Sequence, residues 1–230
     1  MQSFLHRRKG NIMAIRLQEV KILPEHIMKL KLKEAAEKYS RYVGCDILVI
    51  YSKSKNTPYE DYEFMAEEEH FQHLAGVKYP QGAKLFYEKC LNSDISLKDI
   101  VPVENMKTTS SKIEVLPQAI DLYAAKMYKI GEKDLETLKN RFTMGIGNSS
   151  TIMGLDRRDQ ILPIPITVMN RKITDFCSEP CSIFMVMKKK IGIEKYNELV
   201  YEKTKDILAK IDFDDAIKDK IDSGFIKAAS

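Results

Sequence analysis

From Pro24 onward, apolar positions recur at helical spacing. In PEHIMKLKLKEAAEKYSRYVG, Ile27, Leu30, Ala35, Tyr39 and Tyr42 gather near one face, with Pro24 suited to a first turn and Gly44 to a stop. The next run, CDILVIYS, is short, apolar and β-branched, the pattern of a buried strand. KSKNTPYED carries the residues that bend chains, and YEFMAEE then alternates apolar and polar positions. That alternation predicts a second strand with His70 at its end, where the chain leaves the sheet. QGAKLFYEKCLNSD and SLKDIV read as helical, the latter with Ser96 as N-cap and Asp99 three residues on. SKIEVLPQAIDLYAAKMYKIGE begins as a helix, holds Pro117 early or at a kink, and ends near Gly131.

Strand-like pieces follow: RFTMGIGN, STIMGLD, ILPIPITVM and CSIFMVMKKK. A hairpin turn is expected at Gly147 and Asn148. Pro163 and Pro165 remove ladder donors, so the third piece starts late or lies at an edge. IEKYNELVYEKTKDILAKI has the spacing of an amphipathic helix over 193–211, and the charged tail behind it suits a further helical turn or two. The pattern predicts an α+β chain, with N-terminal helices packed on an antiparallel sheet of about four or more strands and a C-terminal helix. The expected division is a lead-in over 1–23, one domain over 24–212 and a charged tail over 213–230.

Composition adds limits. The 230 residues are 44% hydrophobic and 30% charged, enough for a sizeable core, and the formal net charge is only +4. The charge is unevenly spread: residues 1–44 hold ten Lys or Arg against four Asp or Glu, residues 45–69 two against seven, and residues 139–190 nine against four. Two basic regions flank an acidic one, which permits a basic face. Four cysteines are few, and no window reaches the ~20 apolar residues that span a bilayer, so a cytoplasmic protein with reduced thiols and no membrane partner is expected. The opening lacks the apolar stretch of a secretory signal, and Met13 begins a second plausible start. Cys177 and Cys181 resemble half a metal site, but no nearby Cys or His completes it, which favours two buried thiols.

Familiar motif chemistries fail. There is no Walker loop, no dinucleotide fingerprint, no G-x-S-x-G and no H-E-x-x-H. What remains is a set without an obvious nucleophile, metal or cofactor: His70 and His73 in HFQHLAGVK, with lysines, arginines and hydroxyls. Such a set is sufficient to cleave RNA, which carries its own nucleophile in the 2′-hydroxyl. The protein need only take that proton, return one to the leaving 5′-oxygen, and stabilise charge at phosphorus. Histidine suits the proton transfers because its ordinary pKa lies near neutrality.

EEEHFQHLAGVK, then AKLFYEKCLNSDISLKDI, SSKIEVLPQAIDL, ILPIPITVMNRKI and SIFMVMKKKIGIEKY, in that order, resemble the phage branch of the barnase, EndoU, colicin and RelE-like nucleases over roughly residues 59–205. The resemblance implies a metal-independent ribonuclease, with a cleft on the open face of an antiparallel sheet of about four strands. It also implies that His73 matches the family histidine as general base or acid, while His70 is a neighbour. Ala75 stands where that pattern usually has threonine. By the same resemblance Thr167 lies on or beside a strand and Lys188 at the end of another, as candidate catalytic groups for phosphate. Lys78, His70 and Arg157 are candidate substrate contacts, although the two arginines of LDRRD also sit between aspartates suited to local ion pairs.

Glu67, Glu68 and Glu69 would repel phosphate unless the strand turns Glu68 away. The expected partners are an RNA substrate and an antitoxin or immunity protein, in a prophage or defence-associated toxin. The alternative is a catalytically silent nucleic-acid or protein binding module on the same fold. An ADP-ribosyltransferase using Arg141 and the SST at 149–151 is a minor third reading.

Overall fold

The computed structural model describes residues 22–54, 57–134 and 142–227; residues 1–21, which hold nearly all of the expected lead-in, and Arg141 lie outside them. Helix α1 (Glu25–Tyr39) starts after Pro24, and the chain turns at Gly44, whose φ of +69° favours glycine. Its buried stripe is Met28, Leu32, Ala35, Ala36 and Tyr39, one step round from the expected face, so Leu30 is 61% exposed. Strand β1 (Cys45–Ser52) follows, buried on both sides. Ile47 and Val49 enter the helix-side core, while Leu48 and Ile50 enter a second core on the opposite face, as a period of two requires.

Strand β2 (Glu60–Ala66) pairs antiparallel with β1 and ends before the three glutamates. Those residues form a turn into α2 (His70–Ala75), so His70 opens a helix instead of closing a strand. β3 (Val77–Lys78) pairs with β4 (Val101–Pro102) as a small separate ladder, and α3 (Ala83–Leu91) lies between them. SLKDIV yields only a single 3-10 turn at Leu97–Asp99. Helix α4 (Met106–Ala119) is capped by Asn105, whose side chain accepts from the Thr108 N–H, and it carries Pro117 near its end.

The remaining strands are β5 (Lys129–Glu132), β6 (Met144–Gly147), β7 (Ile152–Asp156), β8 (Ile164–Met169), β9 (Cys181–Lys190) and β10 (Glu198–Glu202). They complete an eight-stranded antiparallel sheet in the order β2-β1-β9-β5-β6-β7-β8, with β10 also on β9. The sheet curls until its ends approach, and the Met65 N–H donates to the Pro163 carbonyl at 2.9 Å. Pro163 lies ahead of the late-starting β8, at the end of the strand path. α1, α2, α3 and α4 share one hydrophobic core with one face of this sheet.

The long helix expected over 193–211 does not form. β5 pairs with β9 only at Cys181 and Ser182, which leaves the same edge open further along. β10 fills it, with Glu198 to Glu202 opposite Lys188 to Met185. Only Ile207–Lys210 is helical in that stretch (α5), followed by α6 (Asp215–Lys218) and α7 (Ser223–Lys227). Phe213, Ile217 and Ile221 pack into the second core beside Tyr196 and Phe184.

Candidate active site

Helix α2 is held on its apolar side by an aromatic cluster. The Phe71 ring stands 5.6 Å from Tyr39, 5.9 Å from Phe86 and 5.5 Å from Tyr87, centroid to centroid. This fixes the two histidines, one turn apart. His70 is 7% exposed, and its Nδ1 accepts a hydrogen bond from the Glu67 N–H at 3.1 Å. An Nδ1 that accepts cannot also carry a proton. Burial, with the nearby His73 and Arg158, accordingly pushes the His70 pKa down to about 4, so this ring is neutral at pH 7.

His73 faces solvent beside Glu69, at one wall of an open cleft of ≈ 520 Å³ that continues over Gln81 and Gly82 to the start of α3. Partial burial and then the Arg158 charge lower its pKa as well. Its ring is thus favoured in the neutral form, the one able to accept a proton. Arg158 comes from the turn between β7 and β8 and adopts φ +43° there. Among the described residues neither Arg157 nor Arg158 forms the local ion pair that LDRRD suggests. Arg158 reaches both histidines electrostatically, whereas Arg157 acts on Tyr62.

The next residue after α2 is Gly76, at φ +69° and ψ 37°. Its N–H bonds back to the His73 carbonyl, and its own carbonyl accepts from Val103 N–H at 3.1 Å and Thr109 Oγ1 at 2.9 Å. These bonds lock the end of α2 to the start of α4. Lys112 then runs from α4 past Gly76, and its Nζ donates to Thr167 Oγ1 on β8 at 3.2 Å. Burial lowers the Lys112 pKa, with Glu104 opposing from a distance, and no carboxylate pairs with it among the described residues. A half-buried ammonium bonded to one hydroxyl keeps donors to offer to an anion.

Lys112 escaped the sequence reading, although a signal was present. It lies three residues from Thr109 and four from Leu116, both buried, so a charge stands on the packed face of an amphipathic helix. Of the residues singled out in advance, the fold gathers His70, His73 and, through Lys112, Thr167. Lys78 is exposed on β3, and Ala75 is fully buried in the core. Lys188 lies in another cluster. Its Nζ donates to the Arg41 carbonyl at 2.6 Å, pairs with Glu198 at 2.9 Å and stands 5.9 Å from the centre of the Tyr123 ring. Burial disfavours its charge, but Glu198 and Tyr123 more than offset this and raise its pKa.

Of the three glutamates Glu69 lines the cleft, together with Glu88 of α3. Glu68 is paired with Lys84 at 3.0 Å, and the Glu67 carbonyl accepts from the Tyr39 hydroxyl. Cys177 and Cys181 are buried thiols, and Cys177 Sγ lies 3.3 Å from the Gly131 carbonyl. Among the described residues no cluster of three or more His, Cys, Asp or Glu side chains is placed to hold a metal ion. Nor is any helix among them long and apolar enough to cross a membrane.

The family model described as phage-Barnase-EndoU-ColicinE5/D-RelE like nuclease 4 matches residues 31–205, from within α1 to just beyond β10. The chain belongs to this nuclease family. Membership points to nuclease activity, and the matched span contains α2, α4, β8 and the residues His73, Lys112 and Thr167. Comparison with curated proteins and with solved structures finds no match.

Proposed function

We propose that this nuclease cleaves RNA at the junction of α2, α4 and β8, without a metal ion, by attack of the substrate's own 2′-hydroxyl. The observation that supports the reading is Lys112: a half-buried lysine that runs past Gly76, the residue ending the helix that carries His73, held by Thr167 and lacking a carboxylate partner among the described residues. Neutral His73 accepts the 2′-hydroxyl proton, the 2′-oxygen bonds to phosphorus, and the P–O5′ bond breaks. Lys112 and Arg158 balance the charge on the phosphoryl oxygens, and Lys112, its pKa lowered by burial, supplies the proton to the leaving 5′-oxygen. Thr167 aims the ammonium, and His70 keeps the α2 turn in place through Glu67.

In this reading the protein is a prophage- or defence-associated toxin acting in the cytoplasm, with an antitoxin or immunity protein as its other partner. Lys78, exposed two residues beyond Gly76, contacts the RNA backbone outside the reacting phosphate. The test is incubation of wild type, His73→Ala and Lys112→Met with total bacterial RNA in EDTA. The expected result is discrete cleavage by wild type alone, leaving 2′,3′-cyclic phosphate ends, and its loss on a strand with a 2′-deoxy nucleotide at the cut. Cleavage that EDTA abolishes removes the metal-free mechanism. Salt-dependent RNA binding with no cleavage favours the silent binding module instead.

A further inference from the structure

A second pocket, of ≈ 410 Å³, opens where the end of α4 meets the β6–β7 hairpin. Its lining includes Gln118, Met127, Lys129, Asn148, Lys172 and Ile173. Asn148 is the informative member. Only 8% exposed, it uses its Oδ1 to accept from the backbone N–H groups of Ser150 at 2.8 Å and Thr151 at 3.0 Å. An amide nitrogen cannot accept from an N–H, so these bonds fix which way the side chain points. Asn148 lines the pocket, and its solvent-accessible Nδ2 keeps two donors with no acceptor among the described residues.

The surroundings indicate the chemistry that suits these donors. Lys129 and Lys172 are exposed at the rim and carry no ion pair among the described residues, while Met127, 75% exposed, offers an apolar surface. Two cations, a free amide donor and an exposed, flexible apolar side chain suit a nucleotide: phosphate to the lysines, base edge to the amide, apolar contact from the methionine.

The pocket is also close to the proposed cleavage site. Along α4, Gln118 lies six residues beyond Lys112, about 9 Å of helix rise. Along β7, Gly154 faces Thr167, and Thr151 is three residues earlier, about 10 Å of strand. The two measures agree.

We propose that this pocket binds a nucleotide of the same RNA strand, flanking the one cleaved at His73 and Lys112. The inference rests on the ribonuclease reading for its substrate class, and the two are separable by experiment. Binding is measured with uncleavable 2′-O-methyl RNA, a dinucleotide and a 12-mer, for wild type, Lys129→Ala/Lys172→Ala and Asn148→Asp. The aspartate keeps the oxygen that orders the hairpin and loses the amide donors. The expected result is 12-mer affinity lower by about tenfold in both variants, with a shallower salt dependence in the double lysine variant and unchanged dinucleotide binding. Equal 12-mer affinity in all three proteins, or no 12-mer binding by wild type, overturns the subsite. Cleavage of ordinary RNA by wild type, scored in parallel, reports on the nuclease reading alone.

Discussion

Gly76 lies against the stem of Lys112: a Cβ at residue 76 would come 2.7 Å from Lys112 Cδ, closer than any relaxed contact. The same residue holds φ at +69°, where a side chain costs roughly 1–2 kcal/mol. Two separate demands thus fall on one glycine, one from the helix end and one from the passing lysine. Gly76→Ala is expected to lower stability by about that amount in urea denaturation and to push the ammonium away from Thr167. Cleavage should then fall further than the loss of folded protein explains. A variant that keeps full activity per folded molecule removes the link between Gly76 and Lys112.

Lys112 itself separates catalysis from stability. Lys112→Met keeps the stem that fills the space under Gly76 and removes a charge whose burial already lowers its pKa. Folding stability should hold or rise slightly. Loss of one charge-stabilising donor typically costs on the order of 10²–10³ in kcat. The expected outcome is a fall of that size in kcat on RNA with an unchanged urea midpoint. Lys112→Arg should rescue poorly, because a planar guanidinium does not fit a path shaped for a straight stem. Full rescue by arginine would reduce the role to charge alone.

His70 gives the protein an acid-sensitive step. Its pKa in the folded state is down at about 4, against roughly 6.5 in an unfolded chain. Between those values the unfolded state binds a proton that the native state refuses. Stability therefore rises with pH across that window and falls as pH drops from 6.5 toward 4, by up to about 3 kcal/mol from this group. His70→Asn retains an acceptor for the Glu67 N–H but cannot titrate. Stability measured from pH 4 to 7 should show a slope in wild type that is reduced in His70→Asn. Parallel curves would mean that His70 is not the group responsible.

The sequence showed the elements whose local pattern agreed with their final surroundings. β1 reads as a buried strand because both its faces are covered, and the β6–β7 hairpin reads from its turn residues. β10 did not, because Tyr196, Leu199 and Val200 satisfy helical spacing as well as they satisfy a strand. The deciding influence is the edge of β9 near Lys188, left open because β5 pairs only with Cys181 and Ser182, a tertiary circumstance that periodicity does not encode. The site divides similarly. His73 entered as a candidate through its resemblance to a family pattern, and Thr167 through the same resemblance. Lys112 became visible only when α2, α4 and β8 were assembled, since a lysine in a helix is ordinarily solvated and its meaning lies in the missing carboxylate.

Lys188 tests how far that family pattern extends. All of its contacts serve the joint between the end of α1, the 3-10 turn at Leu122–Met127, and strands β9 and β10. It shares no partner with His73 or Lys112 among the described residues, and its side chain is 10% exposed where Glu198 is 56% exposed. Removing the ammonium leaves the Arg41 carbonyl without its donor, a loss on the order of 1–3 kcal/mol when the group is buried. Lys188→Met should therefore lower the urea midpoint while the folded protein cleaves RNA at the wild-type rate. If kcat falls at undiminished stability, the lysine belongs to the reaction, and the α2–α4–β8 junction is only part of the catalytic surface.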